Sequence, residues 1–294
     1  MLCIQTERKI TATDAVNCFD RKSRSKTAPA WRTIMTGIYF SGTGNTRHCI
    51  TKFIDALSVY DAASPEQTAR IISIEESVCA ANAIQSEQEL LLLAYPVYYS
   101  NLPKIMRDFI VENKELWKGK KIFILCTMAL FSGDGAGVAA RLLREYGADI
   151  IGGLHIIMPD CISDVKLLKF SPEKNREIII KAERKLENAA RKTAAHRPPQ
   201  EGLNLFAHLS GLFGQRLWFA RKMKHYSDKL TIHPEACIKC GRCATVCPMH
   251  NLTLTASGIT AAGKCTMCYR CINQCPQKAI TLIGKRHCTT PRSE

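Results

Sequence analysis

The sequence predicts a doubly wound α/β sheet of five parallel strands joined to a small α+β module, and three observations carry that expectation. Between residues 33 and 195, short β-rich runs alternate with helical stretches, as strands and crossover helices do in a parallel sheet. A Gly-Thr turn, Ser41-Gly42-Thr43-Gly44-Asn45-Thr46, directly follows the first run. Eight of the fifteen cysteines crowd between Cys237 and Cys275, in two copies of one spacing.

TIMTGIYF (33–40) reads as the first strand, and a helix runs from about Asn45 to Leu57 after the turn. ARIISI (69–74) is the second strand. ELLLLAYPVY (89–98) is the third, a continuous apolar run of the kind buried on both faces. LPKIMRDFIVENKELW (102–117) is an amphipathic helix, and KKIFILCTMAL (120–130) is the fourth strand. A helix covers about 137–146 and ADIIGGLHIIM (148–158) is the fifth strand. Ser171-Pro172-Glu173 opens a last helix with a cap, a first-turn proline and an early acid. Pairs four residues apart, Glu177–Lys181 and Glu187–Arg191, carry it to about Ala194. The expected organisation is a sheet domain over 35–195, a linker and connecting helix over 196–228, and a cysteine module over 229–285. In the connecting helix Leu205, Leu209 and Leu212 share one face, as expected for packing of one domain on another.

Residues 1–34 hold seven Lys or Arg against three acids, and RKSRSKTAPA has no apolar period. They read as a disordered basic leader, dispensable because Met35 stands just before the first strand. No apolar run approaches the ~18–20 residues that span a bilayer; Leu90 to Ala94 is soon broken by Pro96. The opening MLCIQTERKI lacks a signal peptide's apolar core. A transmembrane segment is therefore excluded, a secreted disulfide scaffold is not expected, and the cysteines predict a reducing, cytoplasmic compartment. A formal charge of +15 points to an acidic partner or nucleic acid, but no nucleic-acid recognition motif is present.

In the Gly-Thr turn the glycines permit positive φ and close backbone approach, so successive N–H groups can converge on one anion. The following helix adds its N-terminal dipole, and Ser41, Thr43 and Thr46 add hydroxyl donors. This predicts a cradle for a terminal phosphate. It is neither a P-loop nor a dinucleotide fingerprint, and the glycines around Asp134 have the wrong spacing for the latter as well. The turn resembles the S/T-G-T-G-x-T loop of flavodoxins, a resemblance that covers about residues 35–195. It implies FMN as ligand, its phosphate held by Ser41, Gly42, Thr43, Gly44, Asn45 and Thr46. It also implies a flavin ring between the loops after the third and fourth strands, Tyr95 to Asn101 and Thr127 to Gly133. Pro96, Val97, Tyr98 and Tyr99 are then the expected ring contacts. Tyr98 or Tyr99 stacks on the flavin, unless it packs on the neighbouring helix instead.

Cys237, Cys240, Cys243 and Cys247 form C-x2-C-x2-C-x3-C before Pro248, and Cys265, Cys268, Cys271 and Cys275 repeat it before Pro276, 28 residues on. The pattern resembles the run of bacterial two-cluster ferredoxins, in which each fourth cysteine serves the other cluster. The resemblance implies one [4Fe-4S] cluster on Cys237, Cys240, Cys243 and Cys275, and a second on Cys265, Cys268, Cys271 and Cys247. Zinc knuckles would give no reason for the third CxxC step or for the proline. Gly241 lets the first loop curl closely, whereas the second has Tyr269 there. Of the other cysteines, Cys126 reads as a small core residue, and His155 and His233 read as structural.

Joined in this order, the two resemblances are similar to electron-transfer flavoproteins of anaerobic bacteria and archaea. They imply single-electron exchange between two clusters and FMN, with no protein acid or base required. An FMN-dependent reductase of a small acceptor and a redox-responsive binding module are the alternatives. Three cofactors of about −2 each leave the holoprotein near +9. An acidic redox partner protein is the expected consequence.

Overall fold

A computed structural model describes residues 35–60, 69–87, 90–98, 101–130, 133–160, 170–204, 208–209 and 229–282. The expected leader, Tyr99, Leu205, Leu212 and most of the connecting helix lie outside the described residues.

Strands β1 (Met35–Tyr39), β2 (Arg70–Ser73), β3 (Leu90–Pro96), β4 (Lys121–Met128) and β5 (Asp149–Ile157) form one sheet in the order β2-β1-β3-β4-β5. Every pairing is parallel. This is the flavodoxin-like order, whose ligand crevice lies beyond the carboxyl ends of the strands where the order switches. The crossovers are α1 (Asn45–Ser58), α2 (Ser77–Ser86), α3 (Lys104–Glu112) and α4 (Gly135–Glu145), and α5 (Pro172–Ala194) follows β5.

The continuous apolar run of β3 alternates between two cores, as a strand's period of two requires. Leu91, Leu93 and Tyr95 join the core beneath α2, α3 and α4, while Leu90, Leu92 and Ala94 join that beneath α1 and α5. The cap expected at Ser171 forms, its hydroxyl accepting from the Lys174 N–H at 3.3 Å. Helix α2 has no counterpart in the sequence reading. Only Ala80, Ala83 and Ile84 of it are buried and Val78 is exposed, so its apolar stripe is too narrow to show as a period. Helix α3 stops at Glu112, short of the expected Trp117, where a 3-10 turn (Lys114–Leu116) swings the indole inward. Trp117 Nε1 then donates to the Ile110 carbonyl at 2.9 Å.

Beyond α5 the linker returns along the outer edge of β5. The Gly153 N–H donates to the Pro199 carbonyl at 2.8 Å and the Glu201 N–H donates to Gly153 at 2.9 Å, which satisfies part of an otherwise open edge. The imidazole of His155 is anchored beneath it, Nε2 accepting the Ala136 N–H at 3.0 Å.

The cysteine module has its own small core, built on Leu252, Tyr269, Ile272, Ile280 and Leu282. Strand β6 (Thr231–Ile232) pairs antiparallel with β9 (Ile280–Thr281), and β7 (Leu252–Thr255) pairs with β8 (Gly258–Ala261). Two short helices, α6 (Arg242–Thr245) and α7 (Arg270–Gln274), follow equivalent turns of the repeat. The repeat extends to the backbone. Lys239 and Met267, Gly241 and Tyr269, and His250 and Lys278 all take left-handed φ, from 47° to 73°.

Two predictions follow from burial. Desolvation pushes the Cys49 thiol up to about 12 and raises that of Cys126 further, whereas Cys79 is exposed. Because the thiolate is the reactive form, brief iodoacetamide treatment of the folded protein should label Cys79 and spare Cys49 and Cys126, as peptide mass spectrometry reads. His155 is held below its ordinary value by burial, with Lys185 adding to the effect and Glu201 and Asp134 opposing it. A depressed folded pKa means that stability is whole above about pH 6.5 and is lost as pH falls through the folded value. Unfolding midpoints measured from pH 7.5 to 5 should therefore fall more steeply for the native sequence than for His155→Gln.

Candidate functional site

At the carboxyl ends of the strands, four loops enclose a pocket of about 510 Å³ lined by Ser41, Gly42, Thr43, Asn45, Thr46, Pro96, Val97, Tyr98, Thr127 and Met158 to Asp160. The Gly-Thr turn and the loop after β3, singled out separately in the sequence, thus meet at one place. Gly44 alone of the two turn glycines uses positive φ, at 111°, as it caps α1. Gly42 is needed for close approach: a Cβ there would stand 2.4 Å from Tyr98 Oη and 2.6 Å from the Cys268 carbonyl.

Several of the expected phosphate contacts also brace the loop. Ser41 Oγ accepts from the Gly44 N–H at 3.1 Å. Asn45 Nδ2 donates to the Pro159 carbonyl at 2.9 Å, and the Thr46 and Thr127 hydroxyls share a bond of 2.8 Å. A hydroxyl that accepts still has its own proton to donate. The Ser41 O–H and one proton of the Thr46–Thr127 pair therefore remain available. Pro96, Val97 and Tyr98 line the same pocket, with Tyr98 beside Gly42 of the turn. Tyr95 does not; its side chain is fully buried and its hydroxyl donates to the Gly135 carbonyl at 2.7 Å. Asp134 is also buried, receiving Arg141 Nη2 at 2.7 Å, as a structural anion rather than a ligand contact.

The eight cysteines of the repeat divide between two cavities. Cys237, Cys240, Cys243 and Cys275 line one of about 360 Å³; Cys247, Cys265, Cys268 and Cys271 line the other, of about 380 Å³. Each cavity thus takes three thiols from one loop and one from the other repeat. Burial raises the thiols of Cys243, Cys265, Cys268 and Cys271, that of Cys268 to about 12. After burial, Cys237 and Cys275 raise Cys243, and Cys247 raises Cys265, Cys268 and Cys271, while Cys243 of the other set also raises Cys271. Backbone N–H groups already point at the sulfurs, Asn251 to Cys247 Sγ at 3.3 Å and its repeat mate Ala279 to Cys275 Sγ at 3.2 Å. Among the described residues, no group of three or more His, Cys, Asp or Glu side chains is placed to hold a single metal ion. The buried Thr266 hydroxyl lines the second cavity and has no hydrogen-bond partner among the described residues.

The two sites share a wall. Cys268 lines both the second cysteine cavity and the pocket behind the Gly-Thr turn. Arg270, two residues on, fastens that wall. Its guanidinium donates to both Glu75 oxygens at 2.6 and 2.7 Å, to the Ser41 carbonyl at 2.7 Å and to the Gly42 carbonyl at 3.2 Å. It also lies over the Phe40 ring, 5.9 Å from the centroid. Sequence reasoning passed over Arg270; the signal it offered was that Arg242 recurs as Arg270 at the repeat interval.

A family model described as a 4Fe-4S dicluster domain matches residues 229–276. This part of the chain is a 4Fe-4S domain. Among solved structures, the chain is similar to the two-electron reduced flavodoxin of Megasphaera elsdenii, at 21% identity and a TM-score of 0.36 over 54% of this chain and 98% of that one. It is similar to oxidised flavodoxin 1 from Bacillus cereus, at 17% identity and a TM-score of 0.35 over 52% and 97%. A third match is the rubredoxin oxygen:oxidoreductase of Desulfovibrio gigas, at 14% identity and a TM-score of 0.36 over 56% and 37%. No curated protein matches the chain. Among the described residues no helix is long and apolar enough to cross a membrane.

Removing the fork should separate the two halves energetically before either unfolds. Arg270→Lys keeps the charge but cannot serve two carboxylate oxygens and two carbonyls at once. It should cost about 1–3 kcal/mol in urea unfolding. The loss should be strongly non-additive with Glu75→Gln in a double-mutant cycle.

Proposed function

We propose that this chain moves single electrons between two [4Fe-4S] clusters, held by Cys237, Cys240, Cys243, Cys275 and by Cys247, Cys265, Cys268, Cys271, and an FMN bound at the Ser41–Thr46 turn. The observation that carries this reading is the double placement of Cys268, which lines the second cysteine cavity on one side and the pocket behind the Gly-Thr turn on the other. The residues present fit these groups. Four thiols per cavity match the valence of a cubane, and the unpartnered Thr266 hydroxyl would donate to a cluster sulfide. The Gly44 turn and the α1 N-terminus suit a phosphate dianion.

Bound there, the clusters would supply one-electron steps and the flavin one- or two-electron steps. The chain's work is positional. Gly42 admits the Cys268 loop to within van der Waals distance, Tyr98 lines the pocket beside it, and Arg270 fixes that loop to the phosphate turn. Burial of Cys268 and Tyr269 keeps water from the wall between the two centres.

Iron and FMN per chain after anaerobic purification, with spectra before and after reduction, test this directly. About eight irons and one FMN, both reducible, are expected. Four irons would remove one of the clusters, flavin-free protein would remove the flavin centre, and zinc in place of iron would overturn the reading altogether.

A further inference from the structure

The two cluster loops have equivalent sequences and opposite surroundings. In the second repeat Thr266, Met267 and Cys268 are buried and Arg270 is half-buried; Cys268 packs into the sheet's core and Arg270 bonds to Ser41, Gly42 and Glu75, while Met267 packs into the module's own core. Their counterparts 28 residues earlier, Ile238, Lys239, Cys240 and Arg242, are all exposed, Ile238 at 60%. Leu254, whose side chain sits beside Gly241, is exposed at 46%. The first cavity therefore has an uncovered edge of apolar and cationic side chains, where the second has a docked protein surface.

The docked copy shows what such a loop binds. Arg270 is met by a carboxylate, Glu75, and its neighbour Cys268 by the backbone of a cofactor-binding turn. Arg242 stands at the same place in the first loop, after a left-handed turn like that before Arg270. Charge agrees in sign: residues 229–282 contain six Lys or Arg and one acid, Glu235, and two clusters of about −2 each would leave the module near +1, with Lys239 and Arg242 as cations on the exposed loop. Resting on the two-cluster reading above, we infer that the Ile238–Arg242 loop is the docking face for an acidic electron-carrier protein. That protein presents a carboxylate to Arg242 as Glu75 does to Arg270, and exchanges one electron with the cluster behind Cys240. The step moves one electron from the partner's reduced centre into that cluster, with no atom or proton transferred.

The test is stopped-flow reduction of the iron-loaded holoprotein by a prereduced ferredoxin of strongly negative net charge, across ionic strengths. For the native sequence the second-order rate constant should rise steeply as salt falls. Arg242→Glu should lower it about tenfold at low salt and flatten the slope, with the two proteins converging at high salt. Lys192→Glu on α5 makes the same change in net charge away from the loop and should stay within about twofold of the native rate. Equal effects of the two variants, or a native rate and slope for Arg242→Glu at native iron content, would overturn the docking face. A salt-insensitive rate accompanied by self-association of the chain would overturn it too. Reduction of the native holoprotein by dithionite is a separate readout: clusters that reduce without their flavin following would count against the proposed function, whatever the ferredoxin rates show.

Discussion

The guanidinium of Arg270 carries the constraint on which the rest of the site depends. The sheet and the cysteine module each bury a core of their own, and Cys268 is the module's one buried residue in the sheet's core, so that contact alone sets little register between them. A planar fork with five donors in fixed directions can do so, because it engages a carboxylate and two main-chain carbonyls at once. Those carbonyls belong to Ser41 and Gly42, so the fork grips the turn that would hold the phosphate. The second cysteine loop is thereby set against the pocket with the rigidity of the turn itself. A lysine at this position would supply charge without register.

Close approach is the second requirement, and Gly42 meets it. Any side chain there would collide with both Tyr98 and the Cys268 backbone. Gly42 and Gly44 thus serve different ends: one leaves room for a neighbour, and the other adopts the left-handed cap that starts α1. On the opposing loop Tyr269 takes the left-handed conformation without being glycine. Such backbone persists only where its surroundings hold it, and Tyr269 is buried in the module's core.

Duplication followed by unequal burial gives the module its polarity. The 28-residue repeat preserves thiols, left-handed turns and N–H to sulfur bonds in both copies. What differs is what each copy faces. The second meets the sheet half at Cys268 and Arg270, while the first keeps its cysteine loop at the surface.

The five strands and their parallel order were legible in the sequence because period and run length are local properties, and so was the Gly-Thr turn, whose backbone demands are written in the residues themselves. The spacing of the thiols likewise announced two cysteine sets before any fold was known. Helix α2 escaped because its buried face is too small to leave a period, and the early end of α3 because tertiary burial of Trp117 overrode the helical pattern. The shared wall could not be read at all. Arg270 finds Glu75, Ser41 and Gly42 between 195 and 229 residues away. No pattern along the chain records a contact that only the packing of one half on the other creates. The sequence by itself determined which chemistry each half suits; the tertiary structure decided that the two halves meet at Cys268, because there a glycine leaves room and an arginine closes the gap.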